Sequence, residues 1–176
     1  MLENIPVKEF VAAPVKAWED DWLMLASGDF AQGDFNFMTV AWGFFGNMWH
    51  KPVAVAVVRP QRHTYQFMER YDSFTLSAFP EQFRQALKLC GSTSGRDTDK
   101  VAQSGLTPEA SSNVAAPSFR EAELVVECRK IYTDDFRPER FLDRGLLSCY
   151  PENDFHRFYY GEILSVRGCS RYRGNK

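Results

Sequence analysis

Between Glu121 and Arg129 the side chains alternate. Ala122, Leu124, Val126 and Cys128 fall on one side of an extended chain, and Glu121, Glu123, Val125, Glu127 and Arg129 on the other. A period of two sends one set to a buried face and the other toward solvent, which marks a half-buried strand and not a helix. Such a strand needs backbone partners, and the sequence offers several. Residues 22–28 and 35–42 read as two strands, joined through the turn signals Gly28-Asp29 and Gly33-Asp34 into a hairpin. Residues 43–52 read as an aromatic loop, and residues 53–58 as a short apolar strand buried on both faces. Residues 73–79 place Phe74, Leu76 and Ala78 on one face of a further strand, and residues 158–166 form the last.

Helical signals fall between these strands. After a turn at residues 60–63, Thr64 is a suitable N-cap for a helix through Tyr71, because its hydroxyl can satisfy an orphan amide. Pro80 can open a helix whose stripe is Phe83, Ala86, Leu87 and Cys90 and which Gly91 ends. The polar loop 91–100 leads into a short helix that stops near Gly105. Residues 107–118 read as a surface loop or edge segment. The tail 167–176, with four basic residues and no acidic one, reads as solvated or frayed. About six strands with two or three helices between them predict a mainly β, α+β fold, a barrel with helical excursions. The 176 residues, against a prior of about 150 per domain, predict a single domain over residues 1–176.

Composition narrows the function. With 21 Lys and Arg against 23 Asp and Glu, the net charge of −2 argues against nucleic acid as a partner. No apolar run approaches the about 20 residues a membrane span needs. The amino terminus, MLENIP, lacks the basic-then-apolar plan of a signal peptide, so the expected location is cytoplasmic. Cys90, Cys128, Cys149 and Cys169 are scattered and include no CxxC pair, so they are expected to be buried and reduced, with no metal bound. GxGxxG and the βαβα rhythm of a doubly wound fold are both missing.

Three segments carry chemistry. Residues 91–95 (GSTSG) fail as a nucleophile elbow, because Thr93 stands where serine is needed, and as a Walker loop, because Arg96 replaces the second glycine. Small residues before a helix start, with Arg96 and Lys100 and the hydroxyls of Ser92, Thr93 and Ser94, instead suit an anion. Residues 59–64 repeat the recipe with Arg59, Arg62 and Thr64, and two such sites in one small domain fit one phosphorylated ligand. In residues 35–43, Asn36 and Thr39 are polar within an apolar strand. They can meet the edge of a flat heterocycle while Met38 or Trp42 packs against it.

In order, NxMTxxWG from Asn36, RxxRHT from Arg59, SGRDxDK from Ser94 and HxxxxGE from His156 resemble the flavin reductase-like FMN-binding split-barrel family, the flavoredoxin-like group, over about residues 20–166. The resemblance implies a Greek-key-like FMN-binding split barrel holding FMN non-covalently, with the flavin near the interface of a homodimer. Asn36, Met38, Thr39, Val40 and Ala41 would line the isoalloxazine ring. Arg59, Arg62, Thr64, Ser94, Gly95, Arg96 and Lys100 would hold the ribityl chain and phosphate, and His156 would stand on the nicotinamide or substrate side. Two positions depart from the family pattern. Asp154 and Phe155 precede the histidine where Gly-Asp is common, and Val101 follows the lysine where an aromatic is common.

The expected activity is that of an NAD(P)H-dependent oxidoreductase of the flavin reductase type, passing electrons through FMN to free flavin, another protein or a small acceptor. An FMN electron carrier without its own nicotinamide site, or a flavin-binding domain without redox chemistry, are the alternatives. The residues themselves also point to a homodimer: Phe44, Phe45, Met48 and Trp49 put more apolar surface on residues 43–50 than a monomer's loop usually exposes.

Overall fold

The structure, a computed structural model, describes residues 2–174. A short strand β1 (Glu3–Ile5) and helix α1 (Pro14–Glu19) precede four strands, β2 (Leu23–Asp29), β3 (Asp34–Val40), β4 (Gly43–Met48) and β5 (Lys51–Val58). Helix α2 (His63–Arg70), strand β6 (Ser73–Ala78) and helices α3 (Arg84–Ser92) and α4 (Lys100–Ser104) follow. Two-residue strands β7 (Pro108–Glu109) and β8 (Ser118–Phe119) lead to the long strands β9 (Leu124–Asp135) and β10 (Arg157–Gly168). The main sheet is antiparallel in the order β3-β2-β6-β9-β10-β5-β4, and β1 pairs with β10. Leu25, Met38, Ala56, Phe74, Val126 and Tyr159, from six different strands, share one core. A sheet that turns one face inward in this way curls into a barrel. No helix among the described residues is long and apolar enough to cross a membrane.

The first half of β9 is buried on both faces, not one. Val125 packs with Met24, Phe37, Leu87 and Phe119 in a second core beneath α3. Glu127 is fully buried because the loop before β8 folds over it. Its carboxylate accepts from the amides of Ser112 at 3.0 Å and Asn113 at 2.6 Å. Part of the segment read as surface loop, residues 107–118, is therefore a cover for the sheet. Residues 53–58 are all buried, as their apolar run predicts.

Five further expectations change. The aromatic loop 43–52 is β4 and the start of β5, a hairpin whose turn residues Trp49 and His50 take φ of 54° and 58°. That left-handed turn is usually signalled by Asn or Gly, so the sequence disguises it. The α2 helix starts at His63 after Arg62, with no side-chain cap. Thr64 sits inside its first turn, buried, and accepts from Asn36. Gly91 does not end α3, which runs to Ser92. The tail is not frayed through residue 174: Tyr172 joins the main core and Arg173 bridges to Phe10, while residues 175–176 lie outside the described residues. Among the cysteines, all are free, but Cys149 is exposed and Cys169 only partly buried.

Candidate functional site

Three cations gather where the turn before α2 meets the segment linking α3 to α4. Arg62, His63, Thr64, Ser94, Arg96 and Lys100 line a cavity of about 270 Å³ there. Arg62 Nη2 donates to the Gly91 carbonyl at 2.6 Å and Arg96 Nη1 to the Gln61 carbonyl at 3.2 Å. Lys100, only 5% exposed, donates through Nζ to the carbonyls of Phe37 at 2.8 Å and Cys90 at 3.1 Å. None of the three forms an ion pair among the described residues, and Asp97 is the one carboxylate in the cavity wall. Carbonyls orient these charges without neutralising them. Burial pushes Lys100 down to about 8, and burial followed by the neighbouring Arg59 charge lowers Arg62. Burial first, then Arg96 and Lys100, lowers His63. A cavity with this excess of positive charge suits an anion.

The backbone is shaped for the same purpose. Asn36 Nδ2 donates to Thr64 Oγ1 at 2.8 Å, which leaves the threonine its own hydroxyl proton to give. Gly95 passes so close to this pair that a Cβ there would lie 2.2 Å from Asn36 Oδ1. Only glycine permits that approach.

A second cavity, of about 240 Å³, lies along the end of β3 and the link to β4. Met38, Thr39, Val40, Ala41 and Trp42 form one side, with Val57, Arg59 and His156 on the other. Thr39 Oγ1 donates to the Leu87 carbonyl at 2.5 Å, and its Cβ would be 3.3 Å from a Cβ at Gly91. Since the Gly91 carbonyl takes Arg62, Gly91 links Thr39 of the second cavity to Arg62 of the first. His156 is buried against Trp42, ring centroids 5.0 Å apart, and its Nδ1 lies 2.9 Å from the Tyr150 hydroxyl. Burial, then the Arg59 charge, pushes His156 down to about 4, so the imidazole is neutral at physiological pH.

The sequence candidates thus divide unevenly. Arg62, Thr64, Ser94, Arg96 and Lys100 line the cationic cavity, and Gly95 borders it; Met38, Thr39, Val40, Ala41 and His156 line the second. Asn36 belongs to the seam with Thr64 and Gly95 and not to the wall of the second cavity. Arg59 is not among the cations around the first. Its Nη1 pairs with Asp154 Oδ2 at 2.6 Å and its Nη2 reaches the Cys149 carbonyl at 2.8 Å, so its charge is already offset. Ser94 Oγ accepts from the Arg96 amide at 3.2 Å and braces the loop. Sequence reasoning missed Val57, His63 and Tyr150. His63 was visible inside RHT, whereas nothing separates Val57 from its apolar neighbours.

The flavin reductase-like domain model matches residues 22–174. The chain belongs to the flavin reductase-like family. Its fold is similar to flavoredoxin of Desulfovibrio vulgaris (Miyazaki F), with a TM-score of 0.66 and 21% identity over 92% of this chain and 73% of that one. The FMN-binding domain of a flavin reductases-like enzyme from Shewanella baltica OS155 gives 0.69 and 15%, over 96% and 77%. An NADH:FAD oxidoreductase of Streptomyces globisporus C-1027 gives 0.64 and 14%, over 88% and 78%. No curated protein sequence matches the chain. The barrel of this flavin reductase-like chain is a split barrel.

Proposed function

We propose that the chain is an FMN-dependent oxidoreductase, probed most directly at its cationic cavity. The observation that carries this reading is that Arg62, Arg96 and Lys100 line one cavity with their charges met, among the described residues, only by carbonyls, and that a second cavity is walled mainly by the apolar Met38, Val40, Ala41, Trp42 and Val57. A phosphate fits the first cavity and a flat heterocycle the second, and Gly95 leaves room where a Cβ would close the seam between Asn36 and the phosphate loop. Arg62, Arg96 and Lys100 offset the phosphate charge, the Thr64 hydroxyl donates to it, and Met38, Thr39, Val40 and Ala41 floor the ring. Bound FMN would supply reversible hydride and electron transfer, and the residues fix its orientation and leave the His156 side for the electron donor.

A nicotinamide donor is the leading reading, with free flavin, another protein or a small molecule as acceptor, and the fold similarity to an NADH:FAD oxidoreductase supports it. The carrier alternative draws support from Trp42 and His156, which pack against each other in the wall of the second cavity, and from the similarity to flavoredoxin. The visible spectrum of purified protein, with chromatography of any released cofactor, tests the flavin. Steady-state oxidation of NADH and NADPH then separates the two readings.

A second copy of the chain is the proposed partner. Phe44 and Met48 on the outer strand β4 and Trp49 in the turn after it are exposed; Phe44 packs on Tyr160 of β10, and Trp49 on Tyr160 and on Tyr132 of β9. This aromatic face runs toward Trp42 at the second cavity, so self-association would also shelter the cofactor ring.

A further inference from the structure

His156 in the wall of the second cavity forms a buried polar pair with Tyr150. Tyr150 and His156 are 5% and 9% exposed, with the hydroxyl 2.9 Å from His156 Nδ1. That hydroxyl has no other hydrogen-bond partner among the described residues. A buried phenol needs an acceptor for its proton, and Nδ1 is the acceptor within reach. A neutral imidazole that accepts at Nδ1 carries its own proton on Nε2. His156 Nε2 bonds to nothing in the described chain, yet it is not among the sealed, unpartnered polar atoms. It therefore opens into the cavity that His156 lines.

The pair is held from several sides. Arg59 lies over the Tyr150 ring, 5.1 Å from its centroid, while pairing with Asp154 and the Cys149 carbonyl on either side of that tyrosine. Gln61 also donates to Asp154. Phe155 packs on the Tyr150 ring at 4.8 Å, and Trp42 and Phe136 flank the imidazole. The charged and titratable groups facing His156 are Arg59 after β5 and Asp154 and Tyr150 before β10. The links after β3 and β9 present only the rings of Trp42 and Phe136.

We propose that Tyr150 is a positioning residue that fixes His156 as an Nε2–H donor, directed at an oxygen acceptor such as a carbonyl, carboxamide or carboxylate on the molecule that meets the cofactor. The assignment of that molecule depends on the cofactor reading above; the tautomer does not. A hydrogen bond accepted by Nδ1 favours the neutral ring, so removing the hydroxyl raises the His156 pKa.

Nitrogen NMR of histidine-labelled protein, assigned with His156→Gln, tests the tautomer without any cofactor. Protonated Nε2 and unprotonated Nδ1, persisting to about pH 5, is the expected result; an Nδ1–H tautomer overturns the proposal. In Tyr150→Phe the His156 titration should move up by at least about one pH unit, and an unmoved titration overturns it equally. For the acceptor, nicotinamide added to FMN-loaded protein should shift the Nε2–H resonance. Its affinity should fall about fivefold or more in Tyr150→Phe, with FMN affinity unchanged. No shift with nicotinamide or with benzoate overturns the acceptor assignment. Failure to load FMN at all would instead sink the cofactor reading, leaving the tautomer result standing.

Discussion

Lys100 is buried with no counter-charge among the described residues, and its behaviour follows from that. A charge-assisted bond to phosphate contributes about 1.5–3 kcal/mol, so Lys100→Met or Arg62→Ala should weaken FMN about tenfold or more while sparing riboflavin. Fluorescence titration with both ligands decides it, and equal losses would remove the phosphate from this cavity. Because Lys100 titrates near 8, its contribution to FMN binding should fade as pH rises above that value. The free protein should respond in the opposite sense. With the folded pKa near 8, below the ordinary 10.5, the unfolded chain binds more protons between those values and stability rises with pH across the window. Melting curves at both ends of that window, compared with Lys100→Met, should show the lysine-dependent rise and its loss in the variant. His156→Ala should leave FMN affinity intact and raise the KM for the electron donor, the pattern of lost substrate binding.

At the scale of elements, two glycines mark where segments touch. A Cβ at Gly95 would meet Asn36 Oδ1 at 2.2 Å and His63 Cδ2 at 3.2 Å. Gly95→Ala should therefore break the Asn36–Thr64 seam, weaken FMN and also lower the denaturation midpoint, because both partners are buried and would be left unpaired. Gly161 in β10 differs: its Cβ would lie 2.5 Å from the buried Phe74 ring. Overpacking of this kind costs about 1–3 kcal/mol, so Gly161→Ala should lower the urea midpoint, and an unchanged midpoint would show that Phe74 has room to move. The same scale shows why β4 was hidden in the sequence. Its Phe45 turns inward onto Trp18 and Phe10 while Phe44 faces out, an alternation blurred by Gly43, Gly46 and a turn made by Trp49 and His50.

For the whole molecule, the aromatic face of β4 and its neighbours governs assembly. Trp49 is 55% exposed beside Tyr132 and Tyr160, and burying a large side chain is worth about 1.5–3 kcal/mol. Light scattering should give about twice the 20.3 kDa chain mass, and Phe44→Asp with Trp49→Asp should return it to one. A wild-type monomer at micromolar concentration would reject the second copy as the occupant.

Local chemistry made much of this chain legible. Alternation identified β6 and β9, because it follows from which face of a strand is buried, and turn signals marked the hairpin of β2 and β3. Charge and small residues marked both arms of the cationic cavity, since Arg62, Arg96 and Lys100 have no apolar reading. Tertiary packing decided the rest. Arg59 and Arg62 look equivalent in sequence, yet Asp154, 95 positions from Arg59, takes the charge of one, and no carboxylate among the described residues takes the other's. Val125 and Glu127 read as outward-facing until α3 and the loop before β8 close over them. The role of Tyr150 depends on a partner six residues on along an irregular segment with no period to read. Sequence patterns report what each residue prefers; which distant group meets that preference is settled only when the barrel closes.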